Sequence, residues 1–219
     1  MIKIENVDVY GWEAAIRGAR NPMNSWDKSD SFCTNGYVDN EHTTVQYAGE
    51  YDEYQIGPSD KKLLQNLANA GPDHGKFLRM ITVSMDITAP LYWWKEFDTY
   101  KVGTVANSCS TMHKIHAKEF ELDDFSHEHL TPLALSTLEQ VVDMLNNYRA
   151  DFTLTKAKND WWQMIQLLPT SYNQRRTVLL NYQVLKTMCH ARKNHKLDEW
   201  RNFCDFIKTL PYSELIIDG

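Results

Sequence analysis

The sequence predicts an α+β fold, and three observations carry that expectation. The opening IKIENVDVY alternates with period two: Ile2 and Ile4, then Val7 and Val9 after a one-residue slip, as a half-buried strand does. In residues 76–87, KFLRMITVSMDI, the apolar side chains Phe77, Ile81, Val83, Met85 and Ile87 share one face, with Arg79 as the exception. Across the C-terminal half, apolar residues instead recur at helical spacing. No internal repeat and no Gly/Ser/Pro-rich linker interrupts the chain. Strands early and helices late, in one domain over 1–219, is the expected architecture.

The elements follow in order. Residues 12–20 read as a helix stopped by Asn21-Pro22, because proline disfavours helical backbone in the residue before it. Residues 24–57 are polar and irregular, an expected long ordered excursion in which Trp26, Phe32, Tyr37, Val45 and Tyr47 have something to bury. A helix then starts at Pro58-Ser59, with Ser59 as the expected N-cap and Leu63, Leu64 and Leu67 on one side, and ends at Gly71-Pro72. After the strand over 76–87, Thr88 is expected to cap a helix with Pro90 in its first turn, running through LYWWKEF into a loop at 98–106. Further helices are expected at 132–149 (Leu135, Leu138, Val142, Leu145), 158–168, 174–191 (Val178, Leu185, Cys189) and 197–209 (Trp200, Phe203, Cys204, Ile207).

Composition bounds the setting. With 219 residues, 42% hydrophobic and 24% charged, the chain is neither disordered nor collagenous. Its apolar runs are far shorter than the roughly 20 residues a membrane span needs. A net charge of −6 and a pI near 5.7 argue against a general nucleic-acid binder. The N-terminus has no charged segment followed by an apolar one, so cytoplasmic residence is expected, with Cys33, Cys109, Cys189 and Cys204 as reduced thiols. The pairs Trp93-Trp94 and Trp161-Trp162 point either to extensive packing or to a subunit interface.

The chemistry-bearing motifs are few. His113 and His116 stand three apart, with His127 and His129 beyond, but the acidic segment between reads as a solvated connection, so no metal site is expected. Phosphate-binding glycine loops and the G-x-S-x-G elbow are both missing. From Arg175 to Arg201 the chain is locally basic, through Arg175, Arg176, Lys186, Arg192, Lys193, Lys196 and Arg201. In an acidic protein that patch is a candidate for a phosphorylated small molecule, and the amides of Asn181 and Gln183 beside it have donors and acceptors for a base or sugar. Asn181, Leu185, Met188 and Arg192 fall on one side of the expected helix, an apolar stripe with a polar residue at each end.

These residues carry a resemblance. Leu168-Pro169, Asn181, Arg192, His195 and Glu199-Trp200-Arg201 resemble, in order and spacing, the C-terminal part of the flavin-dependent thymidylate synthases. Upstream, His74 before a strand, then a helix leading into a loop, matches the order in which that family reaches its Arg-His-Arg signature and following Ser. The likeness covers residues 1–210 and implies that family's fold, FAD as cofactor, a pyrimidine nucleotide as ligand and a homotetramer. Carried over residue by residue, it implies a catalytic Arg192 that polarises the pyrimidine ring. It likewise implies flavin contacts at Asn107, Ser110, Asn181 and Gln183, and substrate contacts at Tyr100, Lys101, Arg175, Arg176 and Arg192. Relatives occur widely in viral genomes, so a phage origin fits.

The departures weigh as much as the matches. Asp98-Thr99-Tyr100-Lys101 stands where the signature begins; Ser108, Met112, Ile165 and Gln183 replace a glutamate and three arginines. Hydrogen bonds to charged groups contribute about 1.5–3 kcal/mol each, so the losses lower affinity for the family's ligands by orders of magnitude unless Lys101, Lys114, Arg175 or Arg176 substitutes. A lysine is the poorer replacement, a point charge in place of a planar fork. Two expectations follow: a flavoprotein modifying C5 of a pyrimidine nucleotide, or a non-catalytic protein that binds or sequesters a nucleotide in the same pocket.

Overall fold

The structure, a computed structural model, describes residues 2–33 and 54–217. The expectations for Tyr37, Val45 and Tyr47 lie outside the described residues. In chain order the elements are β1 (Lys3–Tyr10), α1 (Trp12–Arg20), β2 (Phe32–Cys33), β3 (Tyr54–Gln55), α2 (Pro58–Asn69), β4 (Thr82–Pro90), α3 (Leu91–Phe97), β5 (Val105–Ser108), α4 (Pro132–Thr155), α5 (Lys158–Leu167), β6 (Asn173–Asn181), α6 (Tyr182–Arg192), α7 (Asp198–Ile207) and α8 (Glu214–Ile217). The main sheet has the order β1-β4-β6-β5, and β2 pairs with β3 in a small antiparallel ribbon. The fold is α+β, as expected.

Local chemistry explains most elements. The slip in β1 is Asn6, whose φ of 51° lies in the left-handed region that asparagine tolerates better than most residues. β4 buries Val83, Met85, Ile87 and Ala89 in strict alternation, the pattern of a strand half covered. Gly11, at φ 94°, starts α1 where a Cβ would sit 2.1 Å from the Met80 carbonyl oxygen, so only glycine fits there. Thr131 caps α4 by accepting from the Ala134 amide, and the helix runs on to Thr155, beyond the expected 149.

Several expectations are corrected. Residues 75–79 form a 3₁₀ turn burying Phe77 and Leu78 side by side, which breaks strand alternation; the strand begins at Thr82, and Arg79 is no exception within it. Thr88 lies inside β4, and α3 begins at Leu91 after Pro90. Gly57, not Ser59, is the N-cap residue of α2. The expected helix over 174–191 is a strand as far as Asn181 and helix only from Tyr182, and β5 takes up the end of the expected loop at 98–106. Trp26 and Phe32 are exposed instead of buried. Trp93 and Trp94 are fully buried within this chain, so they supply no subunit interface.

The chain divides into two compact units. The first comprises 1–8, 84–179 and 192–205. Its core is aromatic: Trp93 packs on Trp94, Phe97, Trp200 and Phe203, with centroids 4.8–5.6 Å apart. A second cluster joins Ile115, Phe120 and Phe125 to Leu138, Val142, Leu145 and Met164 of α4 and α5. The second unit comprises 9–83, 180–191 and 206–219. Trp12 meets Tyr182 and Tyr212 edge-on, and the Tyr182 hydroxyl donates to the Pro211 carbonyl at 2.5 Å.

An ion pair organises the second unit. Arg20 Nε donates to Asp60 Oδ1 at 2.6 Å, with side chains 4% and 0% exposed. The other two guanidinium nitrogens donate to the Ser25 and Lys28 carbonyls and to Ser59 Oγ. Asp60 Oδ2 accepts from the Ser29 and Ser31 hydroxyls and the Asp30 amide. Burial pushes this carboxyl up, but the bonds from Ser31, Ser29, Arg20 and Asp30 outweigh it and hold the group below the usual aspartate range. Residues 25–31 are thereby fastened to α1 and α2.

Candidate functional site

The site lies in the first unit and is built on α3. Positions three and four apart share a helix face, so Trp93, Trp94 and Phe97 turn into the core while Tyr92 and Glu96, one turn apart, stay half-exposed. Glu96 is the hub. Its Oε2 accepts from Arg192 Nη1 at 2.8 Å and from the Trp200 indole at 2.8 Å, with His195 Nε2 at 3.4 Å. Arg192 Nε donates to the Tyr100 hydroxyl at 2.9 Å, and the guanidinium lies 4.9 Å from the Trp200 ring centroid. The Leu197 amide donates to His195 Nδ1 at 3.2 Å, which assigns the proton of a neutral imidazole to Nε2, on the Glu96 side.

Tyr92 adds a second carboxylate contact. Its hydroxyl donates to Glu199 Oε1 at 2.5 Å, and Glu199 is buried. Burial, followed by the Glu199 contact, pushes the Tyr92 phenol far above its ordinary value, so it remains protonated. Tyr92, Glu96, Asn194, His195, Lys196 and Leu197 line an open cleft of about 590 Å³. A smaller cavity of about 140 Å³ is lined by Phe97, Asp98, Tyr100, Lys101, Thr104 and Ala106. The Thr104 hydroxyl is buried there without a hydrogen-bond partner among the described residues.

The structure assigns each sequence-derived candidate a place. Tyr100 and Arg192 are brought together, as described; Lys101 is exposed beside the smaller cavity. Arg175 pairs with Asp86 at 2.6 Å, a carboxylate that also accepts from Thr177 and Asn6; these bonds, Thr177's foremost, hold Asp86 well below the usual range. Arg176 pairs with Asp98 at 2.8 Å and lies 4.3 Å from the Trp94 ring centroid. Asn107 sits on β5 opposite Thr177, and Ser110 Oγ accepts from the His113 amide. In the second unit, Asn181 Oδ1 accepts from the Val184 amide at the start of α6, and Gln183 is half-buried on that helix.

For FAD the fit is poor. Arg175, Arg176 and Arg192 are each paired with a carboxylate, Gln183 carries no charge, and the Ser110 and Asn181 oxygens already accept backbone amides. A flavin diphosphate needs cationic or amide donors, and this set provides few. No group of three or more His, Cys, Asp or Glu among the described residues is arranged to hold a metal; His129 instead contacts Asp198, and His127 the Phe125 carbonyl. Cys33, Cys109, Cys189 and Cys204 form no disulfide among the described residues. No helix among the described residues is long and apolar enough to cross a membrane.

Sequence reasoning missed the hub. Tyr92 and Glu96 have the i, i+4 spacing of a helix pair, but the tryptophans between them marked the segment as packing. Nothing in the local pattern tied Glu96 to Arg192, 96 residues away.

No protein-family model matches this chain, and no curated protein matches it by sequence. Solved structures do. A flavin-dependent thymidylate synthase ThyX from Helicobacter pylori, complexed with FAD and dUMP, superposes with a TM-score of 0.66 at 18% identity, covering 98% of this chain and 99% of that one. A second structure of Helicobacter pylori ThyX with FAD and dUMP gives 0.69 at 15% identity over 100% of this chain and 98% of that chain. The UMP/dUMP methylase PolB from Streptomyces cacaoi, bound with 5-Br UMP, gives 0.59 at 11% identity over 95% and 88%. At these identities the likeness is one of fold. The chain has the fold of the flavin-dependent thymidylate synthase ThyX.

Proposed function

We propose that this chain is a pyrimidine-nucleotide-binding protein on the ThyX fold, with Arg192 and the Glu96 cleft as its binding site, and that it does not run the thymidylate synthase reaction. Its structural neighbours were crystallised with dUMP or 5-Br UMP, which supports the ligand class. One observation carries the loss of the reaction: Arg175, Arg176 and Arg192 are each engaged by a carboxylate of the same unit. Turning any of them to a phosphate breaks a charged hydrogen bond of about 1.5–3 kcal/mol, so none offsets the missing signature arginines cheaply. Removing a single preorganised charged donor costs about 2–4 kcal/mol of transition-state stabilisation, and such losses are not additive within one unit.

In this reading Arg192, stacked over Trp200 and held by Tyr100 and Glu96, presents its guanidinium edge to a pyrimidine carbonyl, and Tyr100 and Lys101 border the ligand. A homotetramer and residence in the cytoplasm belong to the same proposal; Leu133 and Leu154, both exposed on α4, are apolar area for such an assembly. Complementation tests the reading. Expressed in a thymidine-requiring bacterium that lacks its own synthase, the chain gives no growth without thymidine, and mass spectrometry of the denatured protein finds a pyrimidine nucleotide or nucleoside and no flavin. Robust growth, or a yellow protein that releases FAD, establishes the flavoenzyme instead.

A further inference from the structure

Resting on that reading, we propose that the cleft at Glu96 receives an uncharged hydrogen-bond donor, so that the chain prefers a pyrimidine nucleoside to its 5′-phosphate. Glu96 Oε2 is fixed by Arg192, Trp200 and His195, while Oε1 carries no hydrogen bond among the described residues. The side chain is 35% exposed and lines the cleft, so a carboxylate oxygen is held ready with no rotamer freedom left to lose. An ionised carboxylate only accepts. Tyr92 lines the same cleft, but its proton goes to Glu199 and Ser126 is hydrogen-bonded to its oxygen, so Glu96 Oε1 is the acceptor on offer.

A fixed acceptor calls for a ligand that donates. The ribose hydroxyls and the uracil N3–H of a pyrimidine nucleoside do so; a phosphate at neutral pH presents acceptor oxygens and negative charge, the wrong partner on both counts. Arg192 does not restore the balance, because its charge is already met by Glu96 at 2.8 Å. Lys196 is a cation of the cleft lining, and it is exposed, a solvated point charge without a fork.

The test is a calorimetric titration of the full chain with uridine and with uridine 5′-monophosphate at one ionic strength. Uridine is expected to bind about tenfold tighter or more. Glu96→Gln, its fold checked by thermal melting, is expected to weaken uridine by about tenfold and to erase the preference. Monophosphate binding as tightly as uridine, or more so, overturns the nucleoside preference while the nucleotide-binding reading stands. Binding of neither overturns both. A Glu96→Gln protein that fails to fold leaves the wild-type comparison to decide.

Discussion

Two arginine–carboxylate pairs in this chain have the same chemistry and opposite settings. Arg20–Asp60 is closed: both side chains are almost wholly buried, all three guanidinium nitrogens donate, and both carboxylate oxygens accept. Arg192–Glu96 is open: the side chains are 21% and 35% exposed, one carboxylate oxygen is left over, and a cleft adjoins it. A buried pair with every valence met has nothing to offer a ligand and fixes structure. A half-exposed pair with a spare acceptor, braced by Trp200 and Tyr100, is rigid and still unsatisfied, which is what a binding group requires. The pairing alone does not distinguish structure from site; the unfilled valence does.

Breaking the closed pair has the largest expected effect. Asp60→Asn leaves the Arg20 guanidinium buried and uncompensated, and we expect a loss of about 3–5 kcal/mol in chemical denaturation, with ligand affinity of the folded fraction unchanged. Gly57→Ala attacks the same region sterically: a Cβ there would lie 2.2 Å from the Asp30 carboxyl carbon and 2.4 Å from its carbonyl oxygen. Asp30 accepts from the Ser59 and Asp60 amides, so the displacement is expected to cost about 1–3 kcal/mol in the same assay.

Acid sharpens the comparison. The Asp60 carboxyl titrates lower in the fold than its ordinary 3.8, so its contribution is complete above that value and is lost as pH falls through the folded one. Denaturation midpoints of the wild type should therefore fall more steeply below about pH 4 than those of Asp60→Asn. An equal slope in both proteins removes Asp60 from the account. The smallest stability effect belongs to the open pair. Arg192→Ala is expected to cost about 1 kcal/mol or less in denaturation, because half-exposed ion pairs contribute little, yet to weaken ligand binding by about tenfold or more in calorimetry. A stability loss as large as that of Asp60→Asn would make Arg192 a structural residue and erase the distinction.

How much of this was legible follows from range. Local periodicity exposed β4, α1, α4, α5 and α7, whose buried faces repeat within a few residues. It failed at β6, where Arg175 and Arg176 mask an alternation that buries Gln174, Val178 and Leu180, and where the helical spacing of α6 follows without a break. The polar residue at that junction, Asn181, reads as one end of an inward stripe, whereas its side chain ends the strand and caps the helix. At the site, Tyr100 and Arg192 were both named from the sequence and do touch, but Glu96, which orders them, was invisible because it joins residues 96 positions apart. Arg20–Asp60, 40 positions apart, escaped for the same reason. Side-chain ion pairs have no period, so only the folded chain reveals which are closed and which are open.

Hydrogen exchange read by mass spectrometry, with and without saturating uridine, tests that distinction most directly. The account predicts added protection in peptides covering Tyr92–Lys101 and Arg192–Arg201, and no change in those covering Arg20–Ser31 and Pro58–Asn69. Protection centred on the Arg20–Asp60 peptides, or none in either region, would contradict it.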